Sequence, residues 1–274
     1  MAPISKLFLP PAALSGCVLA GVYRDTRGAQ LSAADRTNHF PASPLVSVTF
    51  VLEGALHLIP PGKDWRAAQA TPALPEQFVM GPQDGPVSSW AAGEVVALSV
   101  GVYPDAWRAL GGDESRSAVP AVFGAAFAQF CSAPDPDAGW DLFAAELGRP
   151  WAQGRADLGH RAGSVSDWVR ALATRAALSG SGRSLRSMER RIKRYSGQTR
   201  RSLEFFGAFE RLQGHARANA DASLADVALA AGYADQSHMG RAVRRATGFS
   251  PARLNRAIAQ EEAFWCYRLL GERF

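Results

Sequence analysis

Residues 223–254 read SLADVALAAGYADQSHMGRAVRRATGFSPARL, and this stretch decides how the C-terminal part of the chain is read. Ser223 is placed to cap a helix, with Asp226 three residues on as in a capping box. Leu224, Val227 and Ala228 fall at i, i+3 and i+4, which gives that helix one apolar face. Gly232 ends it, because a position just past a helix often takes positive φ, which glycine adopts at little cost. Asp235 then caps a second helix, whose inward stripe is Met239, Ala242, Val243 and Ala246. Gln236, Ser237, Gly240, Arg241, Arg244 and Arg245 lie on its other side. Gly248 stops it, and Ser250-Pro251 opens a third helix with an N-cap followed by proline.

The pattern is a helix-turn-helix whose second helix has a small, polar and basic outer face. Such a helix fits a DNA major groove, where glutamine pairs with adenine and arginine with guanine. An ordinary helical hairpin with a solvated basic face would show the same spacing. The residues themselves go further: Ala228-x-x-x-Gly232-Tyr233, Asp235-Gln236-Ser237, Arg241 and Gly248-Phe249-Ser250-Pro251 resemble, without a gap, the second helix-turn-helix of AraC/XylS-type transcription regulators.

Working outward, residues 184–197 (SLRSMERRIKRYSG) read as a second basic helix. Leu185, Met188, Ile192 and Tyr195 point inward by spacing, and Arg186, Arg190, Lys193 and Arg194 form an outward stripe. A preceding helix, DWVRALATRAAL, is expected to start at Ser166 and to bury Trp168, Val169, Leu172 and Ala176. This resembles the first helix-turn-helix of the same family. Arg190 and Arg241 take equivalent places 51 positions apart, joined by one long helix from about Arg200 to Arg217. Two reading helices would then enter major-groove segments about 34 Å apart on one DNA face. Two departures from the family stand in the first unit: its scaffold helix ends in Ser-Gly-Ser-Gly at 179–182, and Arg200 stands where proline is frequent.

Upstream the chain changes character. Short runs of period two, punctuated by proline, argue for strands at Cys17–Tyr23, Leu45–Leu52, Ala55–Ile59, Gln77–Met80 and Val95–Val102, with a hairpin turn at Glu53-Gly54. From Pro104 onward PDAWRAL, AVFGAAFAQF and GWDLFAAEL look helical, with starts at Pro120 and Asp137. Gly148, Pro150, Gly154, Gly159 and Gly163 mark a boundary near 150–163. The expected fold is α+β: a small N-terminal β-sheet or barrel with helices, sensor-like, over residues 1–155, and an all-α domain with two helix-turn-helix units over 156–274. The stretch FVMGPQDGPVSSW with GEVVALSVGVYPDAWRAL is similar to N-terminal segments that accompany such DNA-binding domains. In that family the N-terminal domain senses a small molecule, dimerises, or does both. A small-molecule effector, a second copy of the chain and RNA polymerase are therefore partners the resemblance implies beside double-stranded promoter DNA. The closing EEAFWCYRLLGERF carries Phe264, Trp265, Leu269 and Phe274, which should bury on the N-terminal domain or on a partner subunit.

Composition agrees. The 274 residues leave room for two domains, and 47% hydrophobic with 20% charged residues describes a globular chain. Residues 1–159 hold 10 Lys+Arg and 15 Asp+Glu, and residues 160–274 hold 20 and 10, so the +5 net charge hides an acidic half beside a basic one. That division suits a polyanion met only by the second half. No apolar run approaches the ~20 residues of a membrane span, and Pro10-Pro11 spoils the N-terminus as a secretory signal. Cys17, Cys131 and Cys266 form neither a metal spacing nor an even disulfide set, which suits a reducing cytoplasm.

Catalytic signals are missing. His39 and His57 stand alone, Trp65, Trp90, Trp107 and Trp140 read first as core and otherwise as the lining of an apolar pocket, and no phosphate loop, nucleophile elbow or dinucleotide fingerprint occurs, so no cofactor is expected. The expectation is a cytoplasmic, non-enzymatic transcription regulator. Arg186, Arg190, Gln236, Ser237 and Arg241 would contact base edges, His238 would join them or touch backbone, and Arg194, Arg200, Arg244 and Arg245 would meet phosphates. Two alternatives stand beside it. One is a regulator whose first unit no longer reads bases and which works mainly through protein contacts. The other is an alkyl-transfer repair enzyme carrying the same DNA-binding module, which would need an activated cysteine.

Overall fold

The computed structural model describes residues 1–113, 118–154, 163–179, 184–219 and 222–271. An N-terminal antiparallel β domain is followed by a helical C-terminal region. The strands are β1 (Ile4–Phe8), β2 (Val18–Asp25), β3 (Thr37–Phe40), β4 (Val46–Glu53), β5 (Leu56–Leu58), β6 (Gln77–Met80), β7 (Val87–Ala91) and β8 (Val96–Val102), with a short helix α1 (Trp65–Ala68) between β5 and β6. They form one sheet in the order β1-β2-β8-β4-β6 and a second in the order β3-β7-β5. The five expected strands are all present. The hairpin at Glu53-Gly54 is not: β4 pairs with β6 and β8, whereas β5 pairs with β7, so the chain turns there to change sheets.

Period two gives the larger sheet its two uses. One face packs on α3 (Ala121–Ser132) and α4 (Pro136–Gly154), which follow α2 (Pro104–Ala109). Phe50 stacks on Phe127 with centroids 4.1 Å apart, and Phe8 stacks on Trp140 at 5.2 Å. Gly21 permits this close approach, since a Cβ there would stand 2.7 Å from the Trp140 ring. The other face looks toward the second sheet across a cavity. Asp135, not Asp137, caps α4, its carboxylate accepting from the Asp137 and Ala138 amides at 2.9 and 3.0 Å. The helix then runs through Gly148, Pro150 and Gly154, where a boundary was expected. It is held by Trp151, which is fully buried. A proline inside a helix costs about 3 kcal/mol, through a lost backbone hydrogen bond and a clash with the preceding turn, and the buried Trp140, Phe143, Leu147 and Trp151 of the same helix, at about 2 kcal/mol each, together outweigh it. The expected division at 155/156 lies outside the described residues.

The C-terminal region contains α5 (Val165–Leu178), α6 (Leu185–Ser196), α7 (Arg200–Ala218), α8 (Leu224–Ala230), α9 (Gln236–Thr247), α10 (Pro251–Gln260) and a last short helix α11 (Trp265–Leu269). Trp168, Leu172, Ile192, Leu203, Phe206, Leu212, Val227, Met239, Val243 and Leu254 form its buried interior. Ser164 caps α5, accepting from the Asp167 amide; Ser166, the expected cap, sits inside the helix. Leu185 is 74% exposed rather than inward, because α6 packs on its neighbours only from Met188 onward.

The C-terminal tail packs on the N-terminal domain. Phe264, Trp265, Cys266 and Tyr267 are all buried, and the Trp265 indole donates to the Asn38 side chain on β3 at 2.8 Å. Arg24 on β2 pairs with Glu262 at 2.6 Å and lies 4.8 Å from the Trp265 ring centroid. Leu269 is half-buried, and Phe274 lies outside the described residues.

Candidate nucleic-acid interface

Two helical cassettes repeat in structure as well as in spacing. In the first, Ser184 caps α6 by accepting from the Ser187 amide, and Gly197 ends it at φ +73°. In the second, Asp235 caps α9 by accepting from the His238 amide at 2.6 Å, and Gly248 ends it at φ +84°. Only glycine takes that left-handed position without a steric penalty. Just before each glycine a buried hydroxyl locks the exit. The Ser196 hydroxyl donates to the Ile192 carbonyl at 2.8 Å and accepts from the Gln198 amide at 3.1 Å. Thr247 does the same with Val243 and Phe249 at 2.8 and 3.1 Å. Ser196 and Thr247 are 51 positions apart, like Arg190 and Arg241, so the repeat extends through cap, basic helix, lock and stop. The lock was legible as Ser-Gly and Thr-Gly at matching offsets, a signal that arginine spacing alone overlooks.

These local devices set the outward faces. Gln236, Ser237, His238, Arg241 and Arg244 on α9 are exposed, as are Arg186, Arg190 and Arg194 on α6. Met239, Val243 and Ala246 behind them are fully buried, and Ala242 is half-buried. Among the described residues none of Arg186, Arg190, Arg194, Arg241 and Arg244 forms an ion pair with an acidic side chain. The His238 ring rests edge-on against Tyr233 at 5.2 Å, within the turn between α8 and α9. Arg200 and Arg245 are placed differently from the rest. Arg200 opens α7 and pairs with Glu189 and Glu204 at 3.8 and 3.3 Å. Arg245 faces the β domain, over the Phe205 ring at 4.0 Å and 3.7 Å from Asp84.

The β domain grips both units. At the first, Asp105 of α2 accepts from the Trp168 indole at 2.9 Å and pairs with Arg175 at 3.4 Å; Arg175 in turn stacks on Tyr195 of α6. Arg108 donates to the Arg194 carbonyl at the end of α6. At the second, the Ala42 amide donates to the Ala246 carbonyl at 2.7 Å, and His39 packs against Phe249 and Phe264 at 5.6 and 4.6 Å. Burial pushes the His39 pKa down to about 4, so its imidazole is neutral near pH 7. None of these contacts has a sequence signal, because each joins residues far apart in the chain.

Between the two sheets lies a cavity of about 470 Å³. Leu19 and Val22 of β2, Leu58 of β5, and Phe78 and Met80 of β6 make its walls chiefly apolar, and Thr49 and Ser99, bonded to each other at 2.9 Å, supply hydroxyls. Phe206 and Phe209 of α7 and Trp265 and Leu270 of the tail close its remaining side. Trp65, Trp90, Trp107 and Trp140 do not line it; the last three are core and Trp65 is half-buried. His57 bonds the Thr71 carbonyl at 2.9 Å, and among the described residues no group of three or more His, Cys, Asp or Glu could hold a metal ion. Burial pushes the Cys17 and Cys131 thiols up, away from the thiolate form, and Cys266 is buried. No helix among the described residues is long and apolar enough to cross a membrane.

No protein-family profile matches the chain, and no curated protein does. Among solved structures, those of ToxT from Vibrio cholerae are similar to this chain over most of its length at low TM-score. The apo form from strain SCE256 shares 9% identity at a TM-score of 0.40, covering 92% of this chain and 96% of that one. The form bound to an unsaturated fatty acid shares 8% at 0.40, covering 92% and 94%. ToxT from strain O395 shares 11% at 0.38, covering 92% and 95%.

Proposed function

We propose that this chain is a sequence-specific DNA-binding transcription regulator of the AraC/XylS type, with a sensor-like domain up to about residue 155 and the DNA-reading domain beyond it. The observation that carries the reading is the repeated cassette. Two short helices, each fixed by a cap, a buried hydroxyl lock and a left-handed glycine, present exposed arginine and polar side chains on their outward faces. Arg190 and Arg241 read base edges at equivalent places, joined by Gln236 and Ser237 on the second unit and Arg186 on the first. Arg194 and Arg244 meet phosphates, which fix register without specifying sequence. A small, largely apolar molecule in the cavity is the effector. It would alter DNA affinity to the extent that it binds one arrangement of the two domains better than another.

Selection of the full-length protein against random-sequence duplex DNA at about 0.15 M salt tests this, since that ionic strength screens purely electrostatic attachment. Two short conserved blocks about 10 base pairs apart are expected. A single block would favour a first unit that no longer reads bases. Salt-sensitive binding with no motif would overturn the proposal.

A further inference from the structure

The cavity rim facing the helical region is made of two loops, residues 41–44 and 81–86. They are tied together by the Ser43 amide donating to the Gln83 carbonyl at 3.1 Å and the Gln83 amide donating back at 2.8 Å. Their outer side docks on the second reading unit and on the start of α7. Beside the Ala42–Ala246 bond, the Gln198 side-chain amide donates to the Pro44 carbonyl at 2.9 Å, and Pro86 lies 3.4 Å from where a Cβ on Gly248 would stand. Asp84 projects from this rim. Its carboxylate accepts from the Ser202 hydroxyl at 2.6 Å and stands 3.7 Å from the Arg245 guanidinium. A hydroxyl beside a guanidinium is the donor set that a DNA phosphate takes. Here an acid of the β domain takes it instead.

We propose that Asp84 is an internal phosphate mimic that keeps Arg245 from DNA and so holds the affinity of the second reading unit down. This rests on reading α9 as a DNA-binding helix. The long-range charge has the same sense, an acidic first half against a basic second half. The pair is open to solvent, with side chains 43% and 74% exposed, so screening keeps the effect to a few-fold. A contact of this strength yields to DNA without first unfolding anything. It also sits on a rim whose inner residues, Ser43, Gly81 and Gln83, line the cavity.

The test uses the full chain, with wild type, Asp84→Asn, Arg245→Ala and the double variant titrated by fluorescence anisotropy. Two duplexes are used, a mixed-sequence 30-mer and the selected site, between about 0.05 and 0.3 M KCl, a range over which phosphate contacts show their salt dependence. The Asn side chain still accepts from Ser202, so the fold is retained, and urea midpoints check this. Asp84→Asn is expected to bind both duplexes about 2- to 5-fold tighter. The slope of log affinity against log salt should steepen by about 0.9, the value for one added phosphate contact. The double variant should show no gain over Arg245→Ala. Unchanged affinity and slope in Asp84→Asn, with wild type binding normally, would overturn this proposal alone, as would a gain that survives Arg245→Ala. Failure of every variant to bind either duplex would overturn the DNA-binding reading and this proposal together.

Discussion

Acid should loosen the docking of the second helical cassette through one side chain, His39. Its ring is wedged between Phe249 and Phe264, and its Nδ1 is 2.7 Å from the Ser88 hydroxyl. Burial holds its pKa at about 4, against an ordinary 6.5; the neighbouring Glu261 raises the pKa and Arg253 lowers it, and neither cancels the burial. The folded state therefore refuses a proton that the unfolded chain accepts. Stability from this group is complete above about pH 6.5 and is lost as the pH falls toward 4. Proton linkage with these two values gives a loss of about 2 kcal/mol at pH 5 and about 3 kcal/mol at pH 4. Against a total of roughly 5–15 kcal/mol for a folded domain, that is a large share. Carboxylates titrate over the same range, so the assay is a comparison. Urea unfolding is followed by tryptophan fluorescence at pH 7, 6, 5 and 4.5 for wild type and His39→Gln. The wild type should lose about 2 kcal/mol more than the variant between pH 7 and pH 5. Parallel pH curves for the two proteins would mean that His39 titrates alike in the folded and unfolded states.

Two further outcomes follow from the cassettes and their anchors. Asp235→Ala removes the cap that accepts from the His238 amide and should cost about 1 kcal/mol in urea unfolding. DNA affinity should fall as well, because the first turn of α9 frays. Trp168→Phe trims a fully buried ring and strips the indole donor from the buried Asp105 carboxylate. A loss of about 1–3 kcal/mol is expected in thermal or urea unfolding, and a neutral result would show that water or Arg175 takes the vacated place.

The parts of this molecule that were legible in the sequence are those fixed by neighbours in the chain. Asp235, Gly248 and the Met239/Val243/Ala246 stripe each act within four residues, so the ends and inward face of α9 can be read directly. Strands β4 and β8 announce themselves as runs of β-branched residues. Strands β3, TNHF, and β7, VSSWA, do not: their polar residues look like loop until Asn38, Ser88 and Ser89 find partners across the second sheet and, for Asn38, on the tail. Gly148 and Pro150 suggested a linker because breakers are local signals. Trp151 buried against the rest of the core decides otherwise, and that is a tertiary fact. The same division runs through the candidate interface. The outward basic faces of α6 and α9 follow from periodicity, but the engagement of Arg245 by Asp84 and of Arg200 by Glu189 comes from chain segments that meet only on folding. The tail is an intermediate case. Its apolar content demanded a cover, yet nothing in it named β3 as that cover.

On the proposed function the two cassettes read DNA as equivalent units. Repeating the random-duplex selection with Arg190→Ala and with Arg241→Ala tests it most directly. Each substitution should erase the preference in one block of the selected site and leave the other intact, with about 1–3 kcal/mol of discrimination lost at the affected base. Unchanged motifs in both variants, or the loss of the same block in both, would contradict it.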